Sequence, residues 1–220
     1  MADTASPGPD LTVAEEDEIF YHGSAVNATW TGARLALGGL TFLFGAFAFA
    51  YFYLRSINSS GRWEGDGFQH PSAVMGAVIM VLVVVSAGTH YIVLQQIKVG
   101  RKRVWQIGGL IALLLGLAAV AMQITELATL PFWPGSSGYA SVFTGFYPVF
   151  LTTQLFVLLW LEILLARSRR IPAISFVEQP PTHAEVFSVQ RFQASLSAFA
   201  TVWTYLALMS FLFWLLFYAF

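Results

Sequence analysis

"VWQIGGLIALLLGLAAVAMQITELATL" occupies residues 104–130. No charged residue stands between Val104 and Thr125. The run is longer than the roughly 20 residues with which a helix crosses a bilayer. Its far end changes character. Gln123 and Glu126 are three residues apart, on one helix face, shortly before Pro131. The rest of the chain repeats the apolar theme. Of its 220 residues, 57% are hydrophobic and only 10% are charged, whereas a soluble domain is about one quarter charged. So small a globule could not bury that much apolar surface, and a bilayer is the natural solvent.

The same composition excludes several classes. There is no cysteine, so disulfides, thiolate metal sites and cysteine nucleophiles are out. The formal charge is −1 and no basic tract stands outside short loops, so no nucleic-acid partner is expected. Residues 1–30 hold no Lys or Arg and carry the acidic run Glu15-Glu16-Asp17-Glu18. That is not a secretory signal. It reads as an acidic soluble tail over 1–29, largely flexible as far as Ile19, with Ile19-Phe20-Tyr21 as a patch that could meet a partner.

The expected fold is all-α: a polytopic membrane protein, with residues 30–220 forming a bundle of five transmembrane helices near 33–55, 72–97, 104–130, 140–166 and 194–219. Basic residues set the orientation. Lys98, Arg101, Lys102 and Arg103 lie between the second and third spans, and Arg167, Arg169, Arg170 and Arg191 flank the linker between the fourth and fifth. The opposite side has only Arg55 and Arg62. The positive-inside bias then places the N-terminus in the cytoplasm and the C-terminus outside. Trp63, Phe132, Trp133 and Tyr139 fall where an outer aromatic belt belongs, and Trp105 where an inner one does. Gly38, Gly39, Gly45, Gly76 and Gly88 in the first two spans, and Gly108, Gly109 and Gly116 in the third, read as faces on which helices approach closely.

Polar groups inside the spans are few and are functional suspects by default. Arg34 and Glu162, near the same ends of their helices, suggest an ion pair with long side chains reaching the interface; proton entry is the alternative for Glu162. His90 is alone, without the converging ligands that a transition metal needs, and reads as a packed histidine. The chain offers no pair of intramembrane histidines for haem. Gln123 and Glu126 could pair across helices or bond loop amides. Alone, they do not diagnose a function.

Several stretches, taken in order, resemble subunit III of the haem–copper oxidases. "WTGARLALGGLTFLFGAFAFAYFYLR" at 30–55 is similar to the first helix shared by that family. "MQITE" at 122–126 resembles its Gln-x-x-Glu at the outer end of a helix, and "YASVF" at 139–143 the opening of the next. Trp203, Tyr205 and "FWLLFYAF" at 213–220 resemble the closing helix. The likeness covers roughly residues 28–220, and five helices match the short bacterial form of the family. The departures are specific. Gly39 stands where the family commonly has a buried Glu, "GFYPVFLTTQ" at 145–154 lacks the family's histidines, and Thr204 and Ala207 replace a His and an Asp.

The resemblance implies a non-catalytic subunit III of a proton-pumping cytochrome c oxidase in a bacterial plasma membrane. Its partners would be subunits I and II, with a respiratory supercomplex as a wider assembly. Haems and copper would sit in those partners, none in this chain, and phospholipids would be bound to it. Gln123 and Glu126 would be a structural signature that ties helices and a loop at the outer surface. Gly38, Gly39, Gly45, Gly76 and Gly88 would pack against subunit I. The equivalent subunit of a quinol oxidase or of a nitric oxide reductase is the close alternative. A small channel or transporter is the alternative of a different class; it predicts a polar stripe or broken helices, and the midsections are almost free of polar residues. An intramembrane hydrolase would need a catalytic set, and none is seen.

Overall fold

The computed structural model describes residues 13–58, 61–64, 67–171 and 183–220, and no strand occurs among them. The elements are α1 (Val13–Ser56), α2 (Ala73–Lys98), α3 (Lys102–Ala128), α4 (Gly138–Arg170) and α5 (His183–Trp214). The last turn of α5 widens into a π-helix over Leu215–Ala219. All five helices are long and apolar enough to cross a membrane. The chain is a multi-pass, all-helical membrane protein, and each expected span coincides with one helix, apart from Ser72, Thr129 and Leu130, which stand just outside α2 and α3.

Local chemistry sets most of the helix ends. Ser72 accepts from the Met75 amide (3.3 Å) and Ser137 from the Ala140 amide (3.0 Å), so a side-chain oxygen satisfies an orphan N–H at the start of α2 and of α4. The turn from α2 into α3 is tight because Gly100 takes φ 81°, a conformation that costs glycine little. α4 stops at Ile171, which is extended (φ −89°, ψ 128°), as the residue before a proline prefers.

α2 and α3 form an antiparallel hairpin; α2 also packs on α5, α3 on α4, and α1 on α5 and α4. Close approach requires small residues in the third span. A Cβ at Gly116 would lie 2.4 Å from a Leu158 methyl and 3.3 Å from the Trp203 ring. Burial is uneven. Half of the most apolar window of α5 is buried but only 11% of that of α1, so α1 is a wall with one face unpartnered. Leu35, Phe42, Phe49 and Phe52 point outward from it.

Three expectations need correction. The stretch read as largely flexible as far as Ile19 is helical from Val13 on and continues into α1, which no proline interrupts before Ser56; residues 1–12 lie outside the described set. The linker between the fourth and fifth spans is shorter than expected, because α4 runs to Arg170 and α5 already begins at His183; residues 172–182 are outside the described set. The aromatic belts are mostly not belts. Trp133 is 83% exposed, but Trp63, Phe132, Tyr139 and Trp105 are buried. They fill the protein interior because each finds another ring: Trp63 meets Tyr51 at 4.9 Å and Tyr139 at 5.9 Å, and Phe132 stacks on Phe68 at 5.1 Å.

Candidate functional site

The end of the bundle that carries the loops 57–72 and 129–137 holds the densest polar arrangement. Glu126 sits in the last turn of α3 and is 2% exposed. Two phenols donate to its carboxylate. Tyr147 of α4 bonds Oε2, and Tyr218 of the π-turn bonds Oε1 at 2.7 Å. One turn deeper, Gln123 Nε2 donates to Gln154 Oε1 at 2.6 Å. Gln123 and Glu126 share a face of α3; Tyr147 and Gln154, seven residues apart, share a face of α4. Two side-chain bonds thus link α3 to α4, and a third brings in the end of α5.

The π-turn explains how Tyr218 arrives there. An i→i+5 turn inserts a residue and redirects the side chains that follow. Its carbonyls are also re-aimed: Tyr139 Oη donates to the Phe217 carbonyl at 2.7 Å. Ring contacts hold the turn, with Phe146 stacked on Phe213 at 3.9 Å and Phe143 edge-on to Phe217 at 5.1 Å. Gly76 of α2 completes the enclosure. A Cβ there would come within 2.5 Å of the Tyr218 ring, so only glycine leaves room for the phenol.

The loops are tied to the same place. The Gly138 and Tyr139 amides donate to the Arg62 and Trp63 carbonyls at 3.2 and 3.0 Å. Asn58 Oδ1 accepts from the Trp63 amide at 3.0 Å. The amide oxygen of Gln123 and the amide nitrogen of Gln154 have no protein partner. Beside Gln123 lies a cavity of about 30 Å³, bordered by Ser210, Tyr147 and Tyr218, enough for one water molecule.

Of the expected site residues, Gln123 and Glu126 come together as a cross-helix cluster, with side-chain partners rather than loop amides. Arg34 and Glu162 do not come together. Both are exposed, and neither forms an ion pair among the described residues. The reason is rotational: Glu162 lines a groove between α4 and α3, with Leu110, Leu113 and Leu117, whereas Arg34 stands on α1, which packs on α4 and α5. Apart from its chain neighbours and its own helix backbone, a Cβ built on Gly38, Gly39, Gly45 or Gly88 meets nothing within 4 Å among the described residues. Gly76 differs from them, since Tyr218 occupies its space.

His90 is buried and packed edge-on to Phe199 at 4.6 Å, with Nε2 unpartnered. A second buried clasp lies nearer the middle of the bundle: Ser86 Oγ donates to the Ala112 carbonyl at 2.6 Å and accepts from Trp203 Nε1 at 3.1 Å. The sequence reading missed Ser86, Tyr147 and Tyr218. The signal for the tyrosines is a phenol among phenylalanines, in "GFYPVF" and "LFYAF", because a buried phenol needs a hydrogen-bond partner.

Both carboxylate oxygens are engaged by phenols, and among the described residues no three His, Cys, Asp or Glu side chains converge. The arrangement joins α3, α4 and α5 where an unpaired buried carboxylate would be costly. No family model matches this chain, and no curated protein matches it.

Proposed function

We propose that this chain is a subunit III of the haem–copper oxidase type: a non-catalytic subunit of a proton-pumping cytochrome c oxidase that packs on and stabilises subunit I. In this reading it lies in a bacterial plasma membrane, N-terminus in the cytoplasm and C-terminus outside, an orientation that rests on its Lys and Arg distribution. Subunits I and II are the partners and hold the haems and copper. The proposal draws its family from the ordered resemblances over residues 28–220.

The observation that carries a partner-binding role is the unpartnered face of α1. Gly38, Gly39 and Gly45 leave flat backbone with no side chain of the chain over it, and Phe42 and Phe49 stand out beside them at 82% and 69% exposure. In lipid, small residues mark surfaces where another helix approaches closely. A groove of about 400 Å³ beside this face, between Phe44, Gly45 and Ala48 of α1 and Met209 and Leu212 of α5, offers recesses for a partner's side chains. Gly39 carries no carboxylate, so support of proton uptake would be indirect, by holding subunit I in its working shape.

The test is to purify the tagged chain in mild detergent, identify what accompanies it by mass spectrometry and record reduced-minus-oxidised spectra. Two larger oxidase subunits with stoichiometric haem are expected, and the haem a or haem b bands choose between the variants of this reading. A haem-free, monodisperse protein, under conditions that keep oxidases intact, refutes the proposal.

A further inference from the structure

The small cavity beside Gln123 collects polar groups from every helix of the Glu126 clasp. Gln123 comes to it from α3, Tyr147 from α4, Ser210 from α5 and Tyr218 from the π-turn. Gln123 is 1% exposed and Ser210 is 7% exposed. The Gln123 amide oxygen has no protein partner, and no hydrogen bond engages the Ser210 hydroxyl among the described residues. Apolar walls stand around these groups: Ile79 and Phe213 line the same space and are themselves buried.

A buried amide or hydroxyl without a partner is costly, and hydrocarbon offers it no solvent to bond. Turning the amides over does not remove the need. Exchanging oxygen and nitrogen on both Gln123 and Gln154 keeps the bond between them and leaves Gln123 with an unpartnered N–H instead. The occupant must therefore donate or accept, which a lipid tail cannot do. Size narrows the choice further. The cavity measures about 30 Å³, and one water needs roughly 10–15 Å³ on the same measure. A cation would meet no free carboxylate, because the phenols hold both oxygens of Glu126.

We infer that this cavity is a specific site for one bound water molecule, which ties α5 to the Gln123–Gln154 bond. The water donates to the Gln123 amide oxygen and accepts from the Ser210 hydroxyl. Its second proton goes to a phenol oxygen of the clasp, which keeps lone pairs after its own donation to Glu126. About three bonds is the usual number for a buried water. α5 is then held at the level of Gln123 as well as at that of Glu126. The polar chain becomes continuous, from Glu126 through a phenol and the water to Gln123 and Gln154.

The experiment is nuclear magnetic resonance of the full chain, deuterated, labelled with heavy nitrogen at glutamine only, in deuterated detergent. The side-chain amide signals of Gln123 are assigned by their loss in Gln123→Met. Their cross-peak to water is read in the rotating frame, where a lasting contact and proton exchange have opposite signs. A cross-peak with the sign of a contact is expected. In Ser210→Ala the water loses one bond but keeps its space, so at least about half of the intensity should remain. In Ser210→Val the added methyl groups occupy the space, and the intensity should fall about fivefold or more. Ser210→Thr, which adds one methyl group, should lower it less and serves where the valine variant does not fold. A parent chain without the cross-peak overturns the inference. So does a cross-peak lost in Ser210→Ala, which would be a relay through the serine hydroxyl. So does one that neither filling variant lowers, whose source would be the tyrosine hydroxyls.

Discussion

Replacing Gly108 by alanine adds a single methyl group at the tightest point of the α2–α3 hairpin. That Cβ would lie 2.2 Å from Val93 Cγ1, 3.0 Å from Val93 Cβ and 3.1 Å from Val93 Cγ2. Carbon atoms in contact prefer about 3.5–4.0 Å. Rotating the valine does not relieve the clash, because its Cβ is already too near and a β-branched side chain in a helix has one strongly preferred rotamer. The helices must move apart. Overpacking of this kind costs about 1–3 kcal/mol, and the better helix propensity of alanine returns up to about 1 kcal/mol. The expected net loss is about 0–2 kcal/mol against the parent, and about 1–3 kcal/mol against a control that has the propensity gain alone. Gly39→Ala is the control: beyond its own helix backbone and chain neighbours nothing lies within 4 Å of its Cβ, so only the propensity gain remains. Both variants are to be unfolded in mild detergent by titrated dodecyl sulfate, followed by far-ultraviolet circular dichroism. If Gly108→Ala is as stable as Gly39→Ala, the packing argument is wrong. In the proposed oxidase the Gly39 position responds differently. Gly39→Leu should leave the chain folded but shed the partner subunits on purification.

Two further outcomes concern the polar clasp. Tyr218→Phe and Tyr147→Phe each remove one donor from the Glu126 carboxylate; each should destabilise by about 1–2 kcal/mol, the upper range for interhelical bonds in membranes, and amide exchange over 215–219 should rise in Tyr218→Phe, whereas unchanged exchange there would detach the π-turn from the clasp. Gln154→Leu removes the acceptor of Gln123 Nε2 and should cost about 1–3 kcal/mol, while Gln123→Leu/Gln154→Leu should recover most of it, since removing both partners strands no polar group; a double variant worse than either single would sink the pairing.

Hydropathy made the five spans legible because a chain in lipid has few options: backbone polar groups must be satisfied internally, and a long apolar run becomes a helix. The same solvent hid the packing. Lipid and protein interior are equally apolar, so nothing in the composition of Trp63, Phe132, Tyr139 or Trp105 tells a ring facing headgroups from a ring facing another ring. The polar extensions 13–29 and 183–191 were missed because helix continuation there owes nothing to hydropathy. At the site, Gln123 and Glu126 stood out as polar residues in an apolar run. Their partners did not: Tyr147 and Tyr218 are 21 and 92 residues from Glu126 in sequence, and only the π-turn brings the second into range. Arg34 and Glu162 failed for the complementary reason. Opposite charges at one depth of a bundle say nothing about which way each helix is rotated.

The helices are not held equally, and this bears on what α1 is for. α3, α4 and α5 share the Glu126 clasp, and α2, α3 and α5 share the Ser86 bonds to Ala112 and Trp203. Among the described residues, the side-chain hydrogen bonds of α1 stay within α1: Thr29 to Ala25, Thr41 to Leu37, Arg55 to Tyr51 and Ser56 to Tyr53. It holds to the bundle by ring contacts, chiefly Phe44 against Phe146, Phe150 and Phe213, and Tyr51 against Trp63 and Phe217. Lipid tails are as apolar as those rings, so no hydrophobic force drives α1 onto its neighbours, and packing alone holds it. In the isolated chain α1 should therefore loosen first. Cysteines placed singly at Phe44, on the inner face of α1, and at Leu196, in the buried part of α5, would report this through their rates of labelling by a maleimide in detergent. The Phe44 site should label faster than the Leu196 site in the isolated chain, and its excess should vanish when the chain is in its complex. Equal rates in the isolated chain would mean that α1 needs no partner on its open face, and would remove the main physical argument for a helix built to be covered on both sides.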